Sequence, residues 1–428
     1  MKAIASSLAS IVNEENAVYL WENLEPTRKE SIQKAMATGR YPSCIVYPRT
    51  QEQLAAIIAE AHRQNWRVLP CGSSSKLSWG GLAQDIDVVV STERINQLIE
   101  HAVGDLTVTV EAGMKFSELQ GILAKSRQFL ALDPTAPELA TIGGIVATAN
   151  TGSLRQRYGS VRDQLLGITF VRADGQIAKA GGRVVKNVAG YDLMKLFTGS
   201  YGSLGIITQV TFRVYPQQEA SATVVLTGTA ETISNAAATL RGSALTPTQA
   251  DLLSTKLVSS LGLGKGLGLI TRFQSISESV NEQANRMLEV GQQLELAGNL
   301  YVAKDEANLW QRLPEQMHSS VTDFPITCKI GVLPSAAVEV LNKVEMGLIH
   351  ISSGLGVLSL NSQKQALKMR DICQVHSGFL SILEAPNTVK EKSDVWGYTG
   401  NALDLMRRIK AQFDSKNILS PGRFVGGI

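Results

Sequence analysis

The run Pro70-Cys71-Gly72-Ser73-Ser74-Ser75-Lys76 follows a short apolar stretch, WRVLP at 66–70. Glycine and serine after a strand let consecutive backbone N–H groups converge on an anion, and serine hydroxyls and Lys76 add donors. Four more small-residue loops follow. They are Asp133-Pro134 with Thr141, Gly143, Gly144 and Asn150 to Ser153; then Arg155 to Asp163, with Arg157 and Gly159; then Gly181 to Asp192, with Lys186; then Gly199 to Ile206, with Gly205. Any one of them serves equally well as a turn. Between Gly143 and Gly205, however, lie 12 of the 37 glycines in 63 residues, about twice the mean density. Five such loops in series, separated by short strands, predict a large extended ligand held mostly by backbone.

Several other chemistries lack their residues. There is no G-x-x-x-x-G-K-[ST], so a P-loop is excluded. The glycine runs at 199–205 and 262–266 have the wrong spacing for a dinucleotide-binding βαβ turn. No HExxH, EF-hand loop, G-x-S-x-G or zinc-type cluster appears. The five histidines (62, 101, 318, 350, 376) are isolated, and the four cysteines form no CxxC pair. The cysteine pattern predicts a reduced cytosolic compartment and no cluster of the chain's own. A net charge of +3 over 428 residues is too small and scattered for nucleic acid. With 44% hydrophobic and 18% charged residues the chain is globular and well buried. No apolar run is long enough to cross a bilayer. The start, KAIASSLASIV followed by NEEN, predicts an N-terminal helix in place of a secretion signal.

The positioning elements follow from periodicity. Residues 1–40 look helical. CIVYP (44–48), the helix QEQLAAIIAEAHRQ and WRVLP (66–70) make a parallel strand–helix–strand unit, with Thr50 three residues before Gln53 at a capping-box spacing. DIDVVVS (85–91) and LTVTVEAG (106–113) are strands, 167–180 is a hairpin turning at Ala173-Asp174-Gly175, and 203–216 is a long strand. Beyond Pro216 the pattern changes to SATVVL, GLGLITRF, ITCKIGVL, GLIHIS and GFLSILEAP, alternating with helices near 230–241, 276–295, 335–346 and 363–375. This predicts a second, antiparallel α+β domain. A last helix, NALDLMRRIKAQF, leads into DSKNILSPGRF.

Taken together, PCGSSSK, ALDP with ATIGGIVATANTGSLRQRYGSVRD, ADGQIAKAGGRVVKNVAGYDLMKLFTGSYGSLGIIT and the terminal SPGRF resemble the FAD-linked oxidases of the vanillyl-alcohol-oxidase/PCMH type. The resemblance covers 42–216 in order and spacing and is looser beyond. It implies a two-domain α+β PCMH-type fold: an N-terminal helical segment (1–40), an FAD-binding domain (41–217), an α+β cap and substrate domain (218–395) and a C-terminal segment (396–428) returning to the FAD domain. It implies that the 71–76 loop holds the FAD pyrophosphate. Asp133, Pro134, Thr141, Gly143, Gly144 and Ser153 would line the pyrophosphate, ribityl and flavin region. Arg157 and Gly159 would join the cofactor set, Gly205 and Ile206 would offer backbone to the adenine end, and Arg423 would return toward the flavin. Some relatives attach FAD through a histidine of the 70–76 loop; none lies there, so non-covalent FAD is expected, with Cys71 a packed small residue.

The implied reaction is hydride transfer from the α-carbon of a 2-hydroxy acid to flavin N5, with a base for the hydroxyl proton and a cation for the carboxylate. His350, Lys329, Arg272 and Lys186 are the candidates for those roles. The chain departs from the family pattern here. Catalytic relatives carry HxGDGNxH and EHG metal-binding motifs, whereas this chain has His350-Ile-Ser-Ser-Gly354-Leu-Gly356 and no EHG. No metal is expected. GGRVVKNVAGYDL and FDSKNILSPGRF are most similar to the bacterial glycolate-oxidase branch of the family. That implies work beside a catalytic FAD-linked subunit and an iron–sulfur subunit, in the cytoplasm, with any membrane contact made through partners. Three readings stay open: a subunit that oxidises the hydroxy acid, a flavin-carrying assembly subunit, and a stand-alone flavoenzyme acting on another substrate.

Overall fold

The structure is a computed structural model and describes residues 2–183, 190–319 and 323–428. The chain divides into two compact units. The first comprises Met1–Thr151, Ser160–Pro216 and Lys390–Ile428, and the second Gly152–Gly159 and Gln217–Val389.

The first unit is built on two sheets. Strands β1 (Val18–Leu20), β2 (Cys44–Val46), β3 (Val68–Cys71) and β4 (Val88–Ser91) lie in the order β1-β2-β4-β3. β4 is parallel to both β2 and β3, so the expected strand–helix–strand unit brackets an intruding central strand. Both faces of this sheet are buried. Cys44, Val46, Val88 and Val90 join one core, and Ile45 and Val89 the other, as alternation along a strand requires. The helix Gln51–Gln64 starts at Thr50, whose hydroxyl accepts from Gln53 N at 3.2 Å. The second sheet contains β5 (Leu98–Ala102), β6 (Thr107–Glu111), β8 (Leu165–Val171), β9 (Ile177–Gly181) and β10 (Ile206–Arg213), ordered β5-β6-β10-β8-β9. β8 and β9 form the expected hairpin, closed by Gly175 N donating to Arg172 O at 3.0 Å with Gly175 at φ +83°. β7 (Gln128–Phe129) pairs with β11 (Tyr215–Pro216).

Two sequence expectations need correction here. The N-terminal forty residues are not uniformly helical: between the helices Lys2–Val12 and Pro26–Gln33 lies β1, which pairs antiparallel with β2. The long strand expected over 203–216 begins only at Ile206, and its last two residues, Tyr215 and Pro216, pair with β7 instead of β6.

The segment Lys390–Ile428 completes the first unit. Val68 N donates to Ile418 O at 2.7 Å, and Ser420 N to Val68 O at 2.9 Å, so the chain at 418–420 lies beside β3. The helix Leu403–Phe413 delivers Lys410, a buried cation. Its ammonium donates to Ser203 O (2.8 Å), Leu419 O (2.9 Å) and Asp414 Oδ2 (2.6 Å). Asp414 in turn accepts from the N–H groups of Ile418 and Leu419.

The second unit carries one eight-stranded antiparallel sheet. Its strands are β12 (Ala220–Gly228), β13 (Gln249–Leu253), β14 (Leu267–Ser275), β15 (Ala297–Val302), β16 (Ile326–Gly331), β17 (Met346–His350), β18 (Leu355–Leu360) and β19 (Phe379–Glu384), ordered β15-β12-β14-β13-β17-β18-β16-β19. The helices Ala230–Gly242, Ser277–Gln293, Ala337–Leu341 and Gln363–Val375 pack on it. The helices Thr255–Leu261 and Ala303–Ser319 complete a core with Val225, Leu253, Ile270 and Leu348. Periodicity misses the helix over 303–319 because Pro314 sits inside it. Among the described residues, no helix is long and apolar enough to cross a membrane.

Lys410→Met strands the Asp414 carboxylate and two carbonyls in the interior. The expected loss of unfolding free energy is about 3–5 kcal/mol, read as a lower urea midpoint at unchanged slope, with part recovered in the Lys410→Met/Asp414→Asn double variant.

Candidate functional site

In the first unit, a cleft opens at the carboxyl end of β3. Cys71, Gly72, Ser73, Ser74, Ser75, Lys76, Thr141, Gly143, Gly144, Gly205, Ile206 and Arg423 line it, all of them residues singled out from the sequence. The loop closes tightly on the turn at Thr141. A Cβ on Gly72 would lie 2.1 Å from Thr141 Oγ1, so only glycine allows that approach. Gly143 is forced in the same way, its missing Cβ falling 2.7 Å from that of Ala112.

The loop's donors are distributed unevenly. Among the described residues, no protein group accepts from the backbone N–H of Gly72, Ser73, Ser74 or Ser75. By contrast, Ile142 N donates to Met114 O, Gly143 N to Ala112 O and Gly144 N to Thr141 Oγ1. The 72–75 loop therefore offers free donors to an anion, while Gly143 and Gly144 offer clearance alone. Arg423 is buried and donates to Ala35 O, Leu77 O and Trp79 O, leaving Nε without an acceptor. Burial pushes its pKa down to about 10. Burial pushes the Cys71 thiol up, which keeps it protonated and poorly nucleophilic. Tyr201 is pushed up to about 12 for the same reason.

Free N–H groups at one end and the apolar Ala147, Ile206 and Ile207 along the wall fit a group with an anionic middle and flat apolar rings. A family model described as FAD binding domain matches residues 42–181, and one described as FAD linked oxidases, C-terminal domain, matches 395–424. The first of these matches spans the loops at 71–76 and 141–144 that line the cleft. The cofactor is FAD.

Curated relatives extend this match. The chain is 32% identical over 193 residues to the glycolate oxidase subunit GlcD of Bacillus subtilis (strain 168), covering 44% of this chain and 41% of that one. The matched stretch thus spans less than half of that relative. A mitochondrial cytochrome-type D-lactate dehydrogenase of Arabidopsis thaliana is 25% identical over 419 residues, covering 90% of this chain and 73% of its own. Among solved structures, p-cresol methylhydroxylase with substrate bound superposes with a TM-score of 0.75 at 15% identity, over 99% of this chain and 96% of that one. That likeness is one of fold.

The remaining cofactor candidates lie elsewhere. Asp133, half-buried, and Pro134, buried, precede Thr135, whose N–H donates to Asn150 Oδ1; neither lines the cleft at β3. Ser153, Arg157 and Gly159 belong to the second unit. Lys186 falls outside the described residues. Sequence reasoning misses Thr92, Ala147, Thr148, Tyr201, Gly202 and Ile207 of the cleft lining. Tyr201 and Gly202 sit inside the Gly199–Ile206 loop that the glycine spacing does single out; Thr92 follows β4 and has no local signature.

The second unit gathers the candidates for acid–base work on one sheet face. Asp251 on β13 stands opposite His350 on β17, and Leu348, two residues back, stands opposite Val357 on β18. Val357 stands opposite Lys329 on β16, and Lys329 opposite Ser381 on β19. With a period of two, Asp251, His350, Lys329 and Ser381 share a face. His350 Nδ1 is 2.6 Å from Asp251 Oδ1, and both residues are buried. Ser153, from the Gly152–Gly159 segment, donates to the other Asp251 oxygen. The carboxylate fixes Nδ1 as the protonated nitrogen and makes Nε2 the basic one. Burial and then the charge of Arg155 lower the Lys329 pKa. Among the described residues, neither Lys329 nor Arg155 has a carboxylate partner.

Arg272 is placed differently. Its guanidinium donates to Ser221 Oγ (3.0 Å), Glu306 Oε1 (3.0 Å) and Gln249 Oε1 (3.2 Å), and lies 5.6 Å from the Trp310 ring centroid. The buried Glu306 also accepts from Thr223. These bonds commit Arg272 to a closed network.

Gly72→Ala should push the loop off Thr141 and scatter the four free N–H groups. FAD affinity is expected to fall at least about tenfold, read as flavin retained after gel filtration of the reconstituted chain.

Proposed function

We propose that this chain is an FAD-bearing component of a glycolate oxidase (dehydrogenase) complex, of the GlcE type, and that it oxidises a 2-hydroxy acid to the 2-oxo acid. The enzyme is an FAD-dependent oxidoreductase acting on CH–OH groups of hydroxy acids. The observation that carries a catalytic role is the juxtaposition on one sheet face of the His350–Asp251 pair with Lys329, a cation without a carboxylate partner whose pKa the nearby charge of Arg155 lowers. A passive flavin carrier has no use for a buried base beside such a cation.

In this reading the free N–H groups of the 72–75 loop hold the FAD pyrophosphate without a covalent link. Gly205, Ile206 and Ile207 line the path of its rings. Bound FAD supplies the acceptor for the hydride that leaves the α-carbon. His350 Nε2 takes the hydroxyl proton, while Asp251 holds the ring in the required tautomer and stabilises the imidazolium that results. Ser153 fixes the carboxylate. Lys329 and Arg155 receive the substrate carboxylate, where the low solvent exposure of Lys329 strengthens the attraction. The sum is loss of two electrons and two protons from the substrate: one proton to His350 and a hydride from carbon.

The electrons then pass to a partner, for which an iron–sulfur protein and a catalytic FAD-linked subunit are the proposed candidates. Among the described residues no three His, Cys, Asp or Glu side chains form a metal-binding group.

Anaerobic addition of glycolate or D-lactate to the reconstituted full chain should bleach the flavin band near roughly 450 nm. Persistence of the band with both substrates would favour the carrier role. His350→Gln is expected to slow bleaching by about 10²–10⁴-fold with FAD still bound. Lys329→Met should raise the substrate KM more than it lowers kcat. Because the Lys329 pKa lies below the ordinary lysine value of 10.5, substrate affinity should fall as pH rises into the alkaline range short of that value. That limb should be missing in the Met variant.

A further inference from the structure

The 42–181 match to the FAD binding domain begins after the helix Pro26–Gln33, yet that helix sends a side chain to the cofactor loop. Arg28 Nη1 donates to Ser74 Oγ at 2.9 Å, and Nη2 pairs with Glu93. Glu93 also accepts from Ser91 Oγ at 3.1 Å, and the same hydroxyl lies 3.3 Å from Gly72 O. Thr92 N closes the other side on Cys71 O at 2.9 Å. Arg28 thus links the middle of the loop to the segment after β4, which itself holds the loop's first residues through Ser91 and Thr92. Its charge is matched by Glu93, so its effect at the loop is geometric.

Ser74 needs such a tie. It sits at φ +69°, in the left-handed region that a residue with a Cβ avoids. Relaxation of Ser74 to negative φ would rotate the adjoining peptide planes, and with them the unpaired N–H groups on either side. Within the loop, Ser74 O accepts from Leu77 N at 3.1 Å. That bond closes a turn without setting the conformation at Ser74.

We propose that Arg28 is a positioning residue for FAD: by gripping Ser74 it holds the left-handed residue on which the convergence of the 72–75 N–H groups depends. This rests on the reading that those groups receive the FAD pyrophosphate.

The test is the affinity of the flavin-free full chain for FAD, followed by quenching of flavin fluorescence, with circular dichroism and thermal unfolding of the same apo-protein. Arg28→Ala should weaken binding about 10- to 100-fold, the range for a lost charge-assisted hydrogen bond. Arg28→Lys should recover only part of that, since one ammonium cannot make both bonds of the planar fork. Arg28→Gln serves in place of Ala if the latter misfolds. The deciding variant is Ser74→Gly, for which the left-handed conformation carries no steric penalty. In that background Arg28→Ala should cost no more than about threefold. Wild-type affinity in Arg28→Ala would overturn the proposal. So would an equal loss in the Ser74 and Ser74→Gly backgrounds, because Arg28 would then act through some other group. Gly72→Ala separates the two levels. If that variant binds FAD normally, the loop reading and the clamp fall together. If it loses FAD while Arg28→Ala does not, the clamp alone falls.

Discussion

The guanidinium of Arg423 donates to the carbonyls of Ala35, Leu77 and Trp79, and the ammonium of Lys390 to those of Ser78 and Gly80. Both cations are buried, and their bonds here run to backbone oxygens. Two long side chains from the far end of the sequence therefore take up the carbonyls of 77–80, immediately after the loop whose N–H groups at 72–75 remain free. The carbonyls of 77–80 are thus taken up by buried cations, while among the described residues the N–H groups of 72–75 meet no acceptor. A cofactor that carries its charge on phosphate needs donors fixed before it arrives. Donors on backbone can be fixed only by tying down the rest of the backbone.

The second unit solves its problem with a different constraint, the two-residue period of a strand. Asp251, His350 and Lys329 come from three strands far apart in sequence, and register alone brings them to one face. The opposite face is apolar and covered by helices. On the face of Asp251 and His350 the helices Thr255–Leu261 and Ala303–Ser319 build a core with Val225, Ile270 and Leu348. A rigid sheet with helices packed on both faces is a good support for a buried histidine, because the ring cannot turn without disturbing its carboxylate partner.

The parts of this protein that were legible in the sequence are those whose cause is local. The 72–76 loop, the Thr50 cap, the 173–175 turn and the glycine at 143 each follow from short-range chemistry. Several strands of the eight-stranded sheet could also be sensed from SATVVL, GLGLITRF and ITCKIGVL. Asp251 had no such signature. QADLL at 249–253 is too short and too uniformly buried to announce a strand, and only pairing with β17 gives its carboxylate a role. Arg272 misled for the converse reason: a lone arginine on a strand looks available until Glu306 and Gln249 are seen around it. Ser153 resembled a cofactor ligand by its place in a glycine-rich run, and it proves to be bonded to Asp251. Arg28 lies outside every motif, and its partner Ser74 is 46 residues away.

The distance in sequence between Arg423 and Leu77 is 346 residues. During synthesis the cofactor loop therefore emerges long before the side chain that pins its carbonyls. Until then β3 is also without its neighbour at 418–420. The nascent first unit has its strands but lacks the helix Leu403–Phe413 and the cations that take up the carbonyls of 77–80. The 72–80 stretch thus receives its last ties from residues translated only after the whole second unit.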